Sequence, residues 1–247
     1  MKNHLDLTGR TIIITGGNGF IGAQLAESLR AQGANIEVLD IKNPEHPVDL
    51  LDPGAVRAAI GDIILRTGGV HGLVHAAALD AIPGGSEAQF APYESFDIDL
   101  WEREFKVNLT AAQIVMQAVA PEFMSSRTGS VVFISSDLSL IAPNNSIYGE
   151  GKFKDIAYVS SKAGLMGLMR AWASYLGPYG VRVNALVPGG MRNGQSDDFA
   201  KRNSALNMLG RMANPGEYDA AVAFMLSDAS SYMTGSSLII DGGRTSW

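Results

Sequence analysis

Short apolar runs alternate along this chain with longer stretches in which apolar positions recur every three or four residues. The runs lie at residues 11–15, 34–39, 72–78, 130–136, 181–187 and 237–241. They are too short for helices, are bounded by glycine, proline or polar residues, and mostly lack the two-residue alternation of a strand with one wet face. Strands buried on both faces of a parallel sheet have this character. Between them, residues 23–30, 53–65, 101–120, 158–176 and 217–226 carry helical spacing. Strand and helix in regular alternation predict an α/β fold with a doubly wound parallel sheet of about seven strands and helices on both faces, the run at 72–78 counting as the end of a fourth strand. No repeat or linker divides the pattern, so residues 1–247 are expected to form a single domain, with longer loops near 79–100, 137–157 and 189–208 reaching over a ligand.

The join between the first strand and the first helix sharpens this reading to a Rossmann-type sheet. There the sequence reads TGGNGFIG, and Gly17, Gly19 and Gly22 fit the spacing of a dinucleotide-binding turn. Glycines at those places permit a tight turn, close approach to a pyrophosphate and close helix packing, and the helix start offers free N–H groups to negative charge. The next strand ends at Asp40, where a carboxylate can accept hydrogen bonds from ribose hydroxyls and repel a 2'-phosphate, which favours NAD over NADP. Asp49 is a candidate for the adenine end; Asp52, just before Pro53, reads as a helix cap.

Composition mainly removes alternatives. With 247 residues and 46% apolar content, the chain can bury a sizeable core. It has no cysteine, and His4, His46, His71 and His75 are too scattered for a metal cluster, so no metal is expected. A net charge of -6 and no basic stripe argue against nucleic acid. No run of apolar residues is long enough to cross a membrane and the N-terminus has no apolar core, so a cytoplasmic protein is expected.

The strongest chemical candidate is YVSSK, in which Tyr158 and Lys162 stand four residues apart on one helix face. A cation beside a phenol favours the phenolate, and at an effective dielectric of ~20 a charge pair ~4 Å apart is worth roughly 4 kcal/mol, or about three pK units at most. A second copy of the spacing, Tyr148 and Lys152, falls among glycines and reads as loop. Leu165, Leu168, Met169 and Trp172 continue the helix after Lys162 until Gly177 and Pro178 end it. Asn108, placed among apolar neighbours, needs buried partners, or else holds a water near Lys162. Ser135 and Ser136 end the strand at 130–136 and point to opposite faces, so one of them can face a pocket. His75 stands apart from any Ser or Asp motif and is read as a packing residue.

Taken in order, TGGNGFIG, the Asn108 helix, the serine pair, YVSSKAG, NALVPGG and YMTGSSLIIDGG make nearly the whole chain resemble the short-chain dehydrogenase/reductase family. By this resemblance Tyr158 is the general acid/base, Lys162 lowers its pKa and holds the nicotinamide ribose, Ser136 binds the substrate oxygen and Asn108 completes the set. It further implies NAD contacts at Gly16, Gly17, Asn18, Gly19, Phe20 and Ile21, at Asp40, Asp49 and Leu50, at Ala76 and Ala77, and at Pro188, Gly189 and Met191, besides Asn108, Tyr158 and Lys162. The chain departs from the common pattern in its glycine spacing, which resembles the family's extended branch. It departs also in HAAA after the strand at 72–78, in Asn193, and in a long segment between Ser136 and Tyr158. A softer resemblance, to a bacterial subgroup of surface-sugar and flagellin-glycan pathways, implies a polyhydroxylated small-molecule substrate. The expected reaction is interconversion of a secondary alcohol and a ketone. Rivals are a 3-oxoacyl-acyl-carrier-protein reductase, a nucleotide-sugar epimerase or dehydratase, and a non-catalytic NAD-binding regulator. A homodimer or homotetramer is implied, joined through the helices at 101–120 and 158–176.

Overall fold

The computed structural model describes residues 4–81 and 87–247. In chain order its main elements are β1 (Thr11–Thr15), α1 (Phe20–Ala31), β2 (Asn35–Leu39), α2 (Pro53–Thr67), β3 (Gly72–His75), α3 (Ile98–Phe105), α4 (Ala111–Ser126), β4 (Ser130–Ile134), α5 (Ile156–Leu176), β5 (Arg182–Pro188), α6 (Asp197–Ser204), α7 (Asp219–Leu226) and β6 (Ser237–Ile240). The strands form one parallel sheet in the order β2-β1-β3-β4-β5-β6.

Alternation along the buried strands explains the two helical layers. Ile13, Leu73, Val131, Phe133, Val183 and Ala185 point to one face, where they pack with Val56 and Ile60 of α2, Val115 and Met116 of α4, and Leu165 and Met169 of α5. Ile12, Ile14, Val74, Val132, Ile134 and Leu186 point to the other, against Leu25 and Leu29 of α1 and Val222 and Met225 of α7. Side chains of this size each contribute roughly 1.5–3 kcal/mol on full burial, which is why the strands carry so few polar residues.

Several expectations need correction. The sheet has six strands rather than about seven, and the run at 72–78 supplies the third strand in sequence, ending at His75. The segment after β2 returns to the sheet edge through a single bond, Val48 N–H to the Asp40 carbonyl at 3.0 Å, and then turns at Asp49 into α2. Capping by the acidic groups of Asp49–Asp52 favours that turn over a seventh strand: Asp49 Oδ1 accepts from Leu51 N–H, and Asp52 Oδ1 from Gly54 and Ala55 N–H. The helix expected at 101–120 runs from Ile98 to Ser126 but is broken by a π turn at Lys106–Thr110. The helix expected from Glu217 starts at Asp219, because the Glu217 carboxylate is ion-paired with Arg211 and accepts from Asn214 N–H. Of the loop expected at 79–100, residues 82–86, with Pro83, Gly84 and Gly85, lie outside the described residues; the rest holds two 3-10 turns, Glu87–Phe90 and Tyr93–Ser95.

Candidate active site

The strand order reverses between β1 and β3, and parallel sheets open their ligand crevice at such a point, beyond the carboxyl ends of the strands. A cleft of about 800 Å³ lies there. Gly16, Gly19, Phe20, Ile21, Asp40, Asp49, Leu50, Ala76, Ala77, Pro188, Gly189 and Met191, all named from the sequence, line it. Gly16 has φ +67°, and a Cβ on it would come within 2.6 Å of the Ala77 Cα, so only glycine closes the crevice floor. A Cβ on Gly22 would overlap the Gly16 carbonyl, so α1 can start directly under the turn. The α1 start has no side-chain cap at Gly19, whereas α2 is capped by Asp52 and α5 by Asp155. Its first N–H groups are therefore available to an anion in the cleft. Asp40 is held by Asn18 N–H (2.9 Å) and Lys42 N–H (2.8 Å), which aims a fixed carboxylate into the cleft. Gly17 and Asn18 are not on the cleft wall: a Cβ on Gly17 would meet Val38 at 2.7 Å, and Asn18 braces Asp40. This set fits a dinucleotide, with the pyrophosphate at the α1 start and a ribose at Asp40.

Further along the cleft stand Ser136, Tyr158 and Lys162. The Ser136 hydroxyl donates to Asp137 Oδ1 at 2.9 Å, accepts from Leu138 N–H at 3.2 Å and shares the cleft with the Tyr158 phenol, whose ionised form it favours. It is thus a turn cap and a pocket residue at once. Ser135 turns its hydroxyl to the Lys162 carbonyl at 3.2 Å, where α5 uses it. The Tyr158 side chain is turned into the cleft, and Tyr148 does not take its place.

The electrostatics of the Tyr158–Lys162 pair differ from the sequence expectation. Lys162 Nζ donates to the Ile134 carbonyl at 2.8 Å and lies 5.6 Å from the Tyr158 ring centroid. Burial pushes the phenol well above its ordinary pKa, with Asp80 adding to the effect and the nearby Ser136 hydroxyl opposing it. The same burial lowers Lys162 to about 8, with Asp80 acting against the shift. Removing a phenolate from water costs more than a cation at this distance returns, so Tyr158 rests here as a protonated acid.

Asn108, in the π turn, is fully buried. Its Oδ1 accepts from Leu79 N–H at 2.7 Å, and its Nδ2 donates to the Leu79 carbonyl at 3.0 Å and to Ser161 Oγ at 3.1 Å. These bonds tie the loop after β3 to α5, and the Asn108 side chain is absent from the cleft wall. A single π turn inserts one residue and rotates the helix beyond it, which places Asn108 on this seam. His75 lies on β3 with Nδ1 2.8 Å from Thr15 Oγ1, and burial holds it neutral, with its pKa at about 3.

The sequence reading passed over five charged residues of the cleft: Asp80, Arg103, Asp137, Lys154 and Arg244. Lys154 is 4% exposed, is ion-paired with Asp80 and stands 4.2 Å from the Tyr158 ring centroid, closer than Lys162. Burial works against its charge, but Asp80 and the Tyr148 phenol raise its pKa overall. Arg244, beyond the final glycine pair, reaches back to Asp137 Oδ2 at 2.9 Å. Tyr148 packs between Phe90 and Phe199, with ring centroids at 5.7 and 5.5 Å, and walls this end of the cleft. Beneath α5, the Glu104 carboxyl is fully buried against Asp155, whose Oδ1 caps Ala157 and Tyr158 N–H at 2.9 and 3.0 Å. Burial, then Asp155, holds Glu104 protonated far above the usual carboxylate range.

A family model described as Enoyl-(Acyl carrier protein) reductase matches residues 18–245. The chain is 31% identical to a 2,5-dichloro-2,5-cyclohexadiene-1,4-diol dehydrogenase of Sphingobium indicum, over 97% of this chain and 98% of the relative. The chain belongs to the short-chain dehydrogenase/reductase family. Among solved short-chain dehydrogenases, one from Leptospira borgpetersenii with bound NAD+ superposes with a TM-score of 0.88 at 26% identity, covering 99% of this chain and 96% of that one. A gluconate 5-dehydrogenase from Burkholderia cenocepacia in complex with NADP and tartrate gives 0.87 at 26% identity, over 99% and 98%.

Proposed function

We propose that this short-chain dehydrogenase/reductase interconverts a secondary alcohol and a ketone on a sugar-like or otherwise polyhydroxylated small molecule, with NAD(H) as cofactor. The observation that carries the reading is the placing of Ser136, Tyr158 and Lys162 on the same cleft as the glycine turn and Asp40. When bound, NAD supplies the hydride acceptor and NADH the donor. Gly16, Gly19, Phe20 and Ile21 would hold its pyrophosphate, Asp40 the adenosine ribose, and Pro188, Gly189 and Met191 the nicotinamide end. Ser136 would turn its one hydroxyl proton from Asp137 Oδ1 to the substrate oxygen. Tyr158 O–H gives its proton to a ketone oxygen, or takes one from an alcohol once deprotonated. Lys162 keeps a cation beside the phenol, and Asn108 acts by positioning the Leu79 loop against α5. Phe90, Tyr148 and Phe199 exclude water from this end.

A polyhydroxylated substrate suits the wall formed by Asn193, Gln195 and Asn203, whose buried Oδ1 has no hydrogen-bond partner among the described residues and can accept from a substrate hydroxyl. Diols and sugar acids also appear in the names of the relatives. Asp40 favours NAD by its charge. Family resemblance supports a homodimer or homotetramer in the cytoplasm, which light scattering of the purified protein checks for its first part; among the described residues no helix is long and apolar enough to cross a membrane.

Tyr158→Phe tests the reading. NADH binding, followed by fluorescence, should stay within a few fold, while turnover of polyols with NAD should fall by roughly 100-fold or more. Unchanged turnover refutes the assignment.

A further inference from the structure

Beyond Tyr148 the cleft holds more positive donors than the reaction uses. Arg244 is 7% exposed, yet its only charged partner among the described residues is Asp137, ion-paired to Nε at 2.9 Å. Its Nη1 is buried without a hydrogen-bond partner among the described residues. A guanidinium carries five N–H donors in a fork that matches a carboxylate, and leaving them unmet in a buried place is costly. Lys154 is equally buried and spends one of its three ammonium protons on Asp80. Both cations act on the Tyr148 phenol from the same cleft, Lys154 and Arg244 favouring its ionised form and Asp80 and Asp137 opposing it. With Lys162 and Arg103 included, four cations on the cleft wall face the carboxylates of Asp80 and Asp137 around the two phenols.

We infer that the substrate carries a carboxylate, which Arg244 and Lys154 bind on the Tyr148 side of the cleft while its secondary alcohol or ketone lies at Ser136 and Tyr158. A carboxylate matches the Arg244 fork and offsets part of this positive charge. A phosphate would set a second negative charge against Asp80 and Asp137, which line the same cleft. Neutral polyols can accept from Arg244 through their hydroxyl oxygens but bring neither the charge nor the bidentate geometry of a carboxylate. This inference rests on the proposed dehydrogenase reading and adds the class of acid to it.

The test compares matched acids and neutral alcohols, gluconate against glucitol and 4-hydroxycyclohexanecarboxylate against its carboxamide. Binding to the enzyme with NADH is measured by calorimetry and turnover with NAD by absorbance. The wild-type protein should bind at least one acid ten-fold or more tighter than its neutral partner, and Arg244→Gln should reduce that acid-to-neutral ratio by roughly 10- to 100-fold, the range of a lost charge-assisted pair. Arg244→Lys should recover part of the ratio, which a purely structural role would not predict. Lys154→Gln should act in the same direction as Arg244→Gln. An acid-to-neutral ratio near one in the wild-type protein, or a ratio unaltered in Arg244→Gln with NADH binding intact, overturns the inference. Neutral polyols turned over without preference for acids would overturn it and leave the dehydrogenase reading standing. If no alcohol were turned over at all, that reading would fail while the binding ratios still decided this one.

Discussion

A lysine four residues from a tyrosine on a helix supplies a cation but not a phenolate. In this cleft the desolvation of Tyr158 outweighs Lys162, whose ammonium is held by the Ile134 carbonyl. Residue spacing is legible in the sequence; how dry the phenol becomes and which carbonyl captures the amine are not. Asp40 was more legible, because a carboxylate closing the second strand after a glycine turn has one geometry in this fold. Its two backbone donors fix it, so its charge should decide the cofactor. Asp40→Ala should lower the preference for NAD over NADP by roughly 10-fold or more, as expected of a repulsion of about 1–2 kcal/mol at ~4–8 Å in a partly wet site. Steady-state kinetics with each cofactor checks this, and an unaltered ratio would place the ribose elsewhere.

At the scale of elements, the strands and the helix at 158–176 were legible since their apolar periods are unbroken. The π turn was not, because one inserted residue looks in sequence like an ordinary drift of the helical period. Nor was the start of α5, which Asp155 sets by capping the N–H of Tyr158 itself. Glu104 supports that cap from α3, and among the described residues Glu104 Oε2 and Asp155 Oδ2 are both buried without hydrogen-bond partners until one proton is placed between them. Because the folded protein keeps this proton above the ordinary carboxylate pKa of ~4.3, the unfolded chain binds fewer protons there and stability falls as pH rises. Glu104→Gln keeps the shape and a donor but cannot ionise. Its melting temperature should match the wild-type value near pH 4 and exceed it increasingly towards pH 8, while Glu104→Ala should lose about 2 kcal/mol or more throughout. Thermal melts across pH decide, and a Glu104→Gln difference that does not change with pH would rule out the shared proton.

At the scale of the whole molecule, the doubly wound sheet was readable because the four inner strands declare their own burial, while the edge strands β2 and β6 are partly exposed. The charged end of the cleft was not, since Asp80, Asp137, Lys154 and Arg244 come from separate loops that meet only once the sheet has folded. His75 shows the same dependence in the opposite direction. Its ring sits inside the sheet between Thr15 and Phe133, and its low pKa exists only in the folded chain. An unfolded His75 takes a proton below pH ~6.5, whereas the folded one stays neutral to about 3. The unfolded state therefore binds more protons between those values, and the stability present above pH ~6.5 is lost as the pH falls through that window, by up to about 5 kcal/mol. This acid limb belongs to the fold and not to the reaction, because His75 is off the cleft wall. His75→Gln, which can keep a hydrogen bond to Thr15 without titrating, should be less stable at pH 7 yet show a flatter decline to pH 4. Urea unfolding at several pH values measures the slope, and an equally steep decline in the variant would assign the acid limb to the carboxylates.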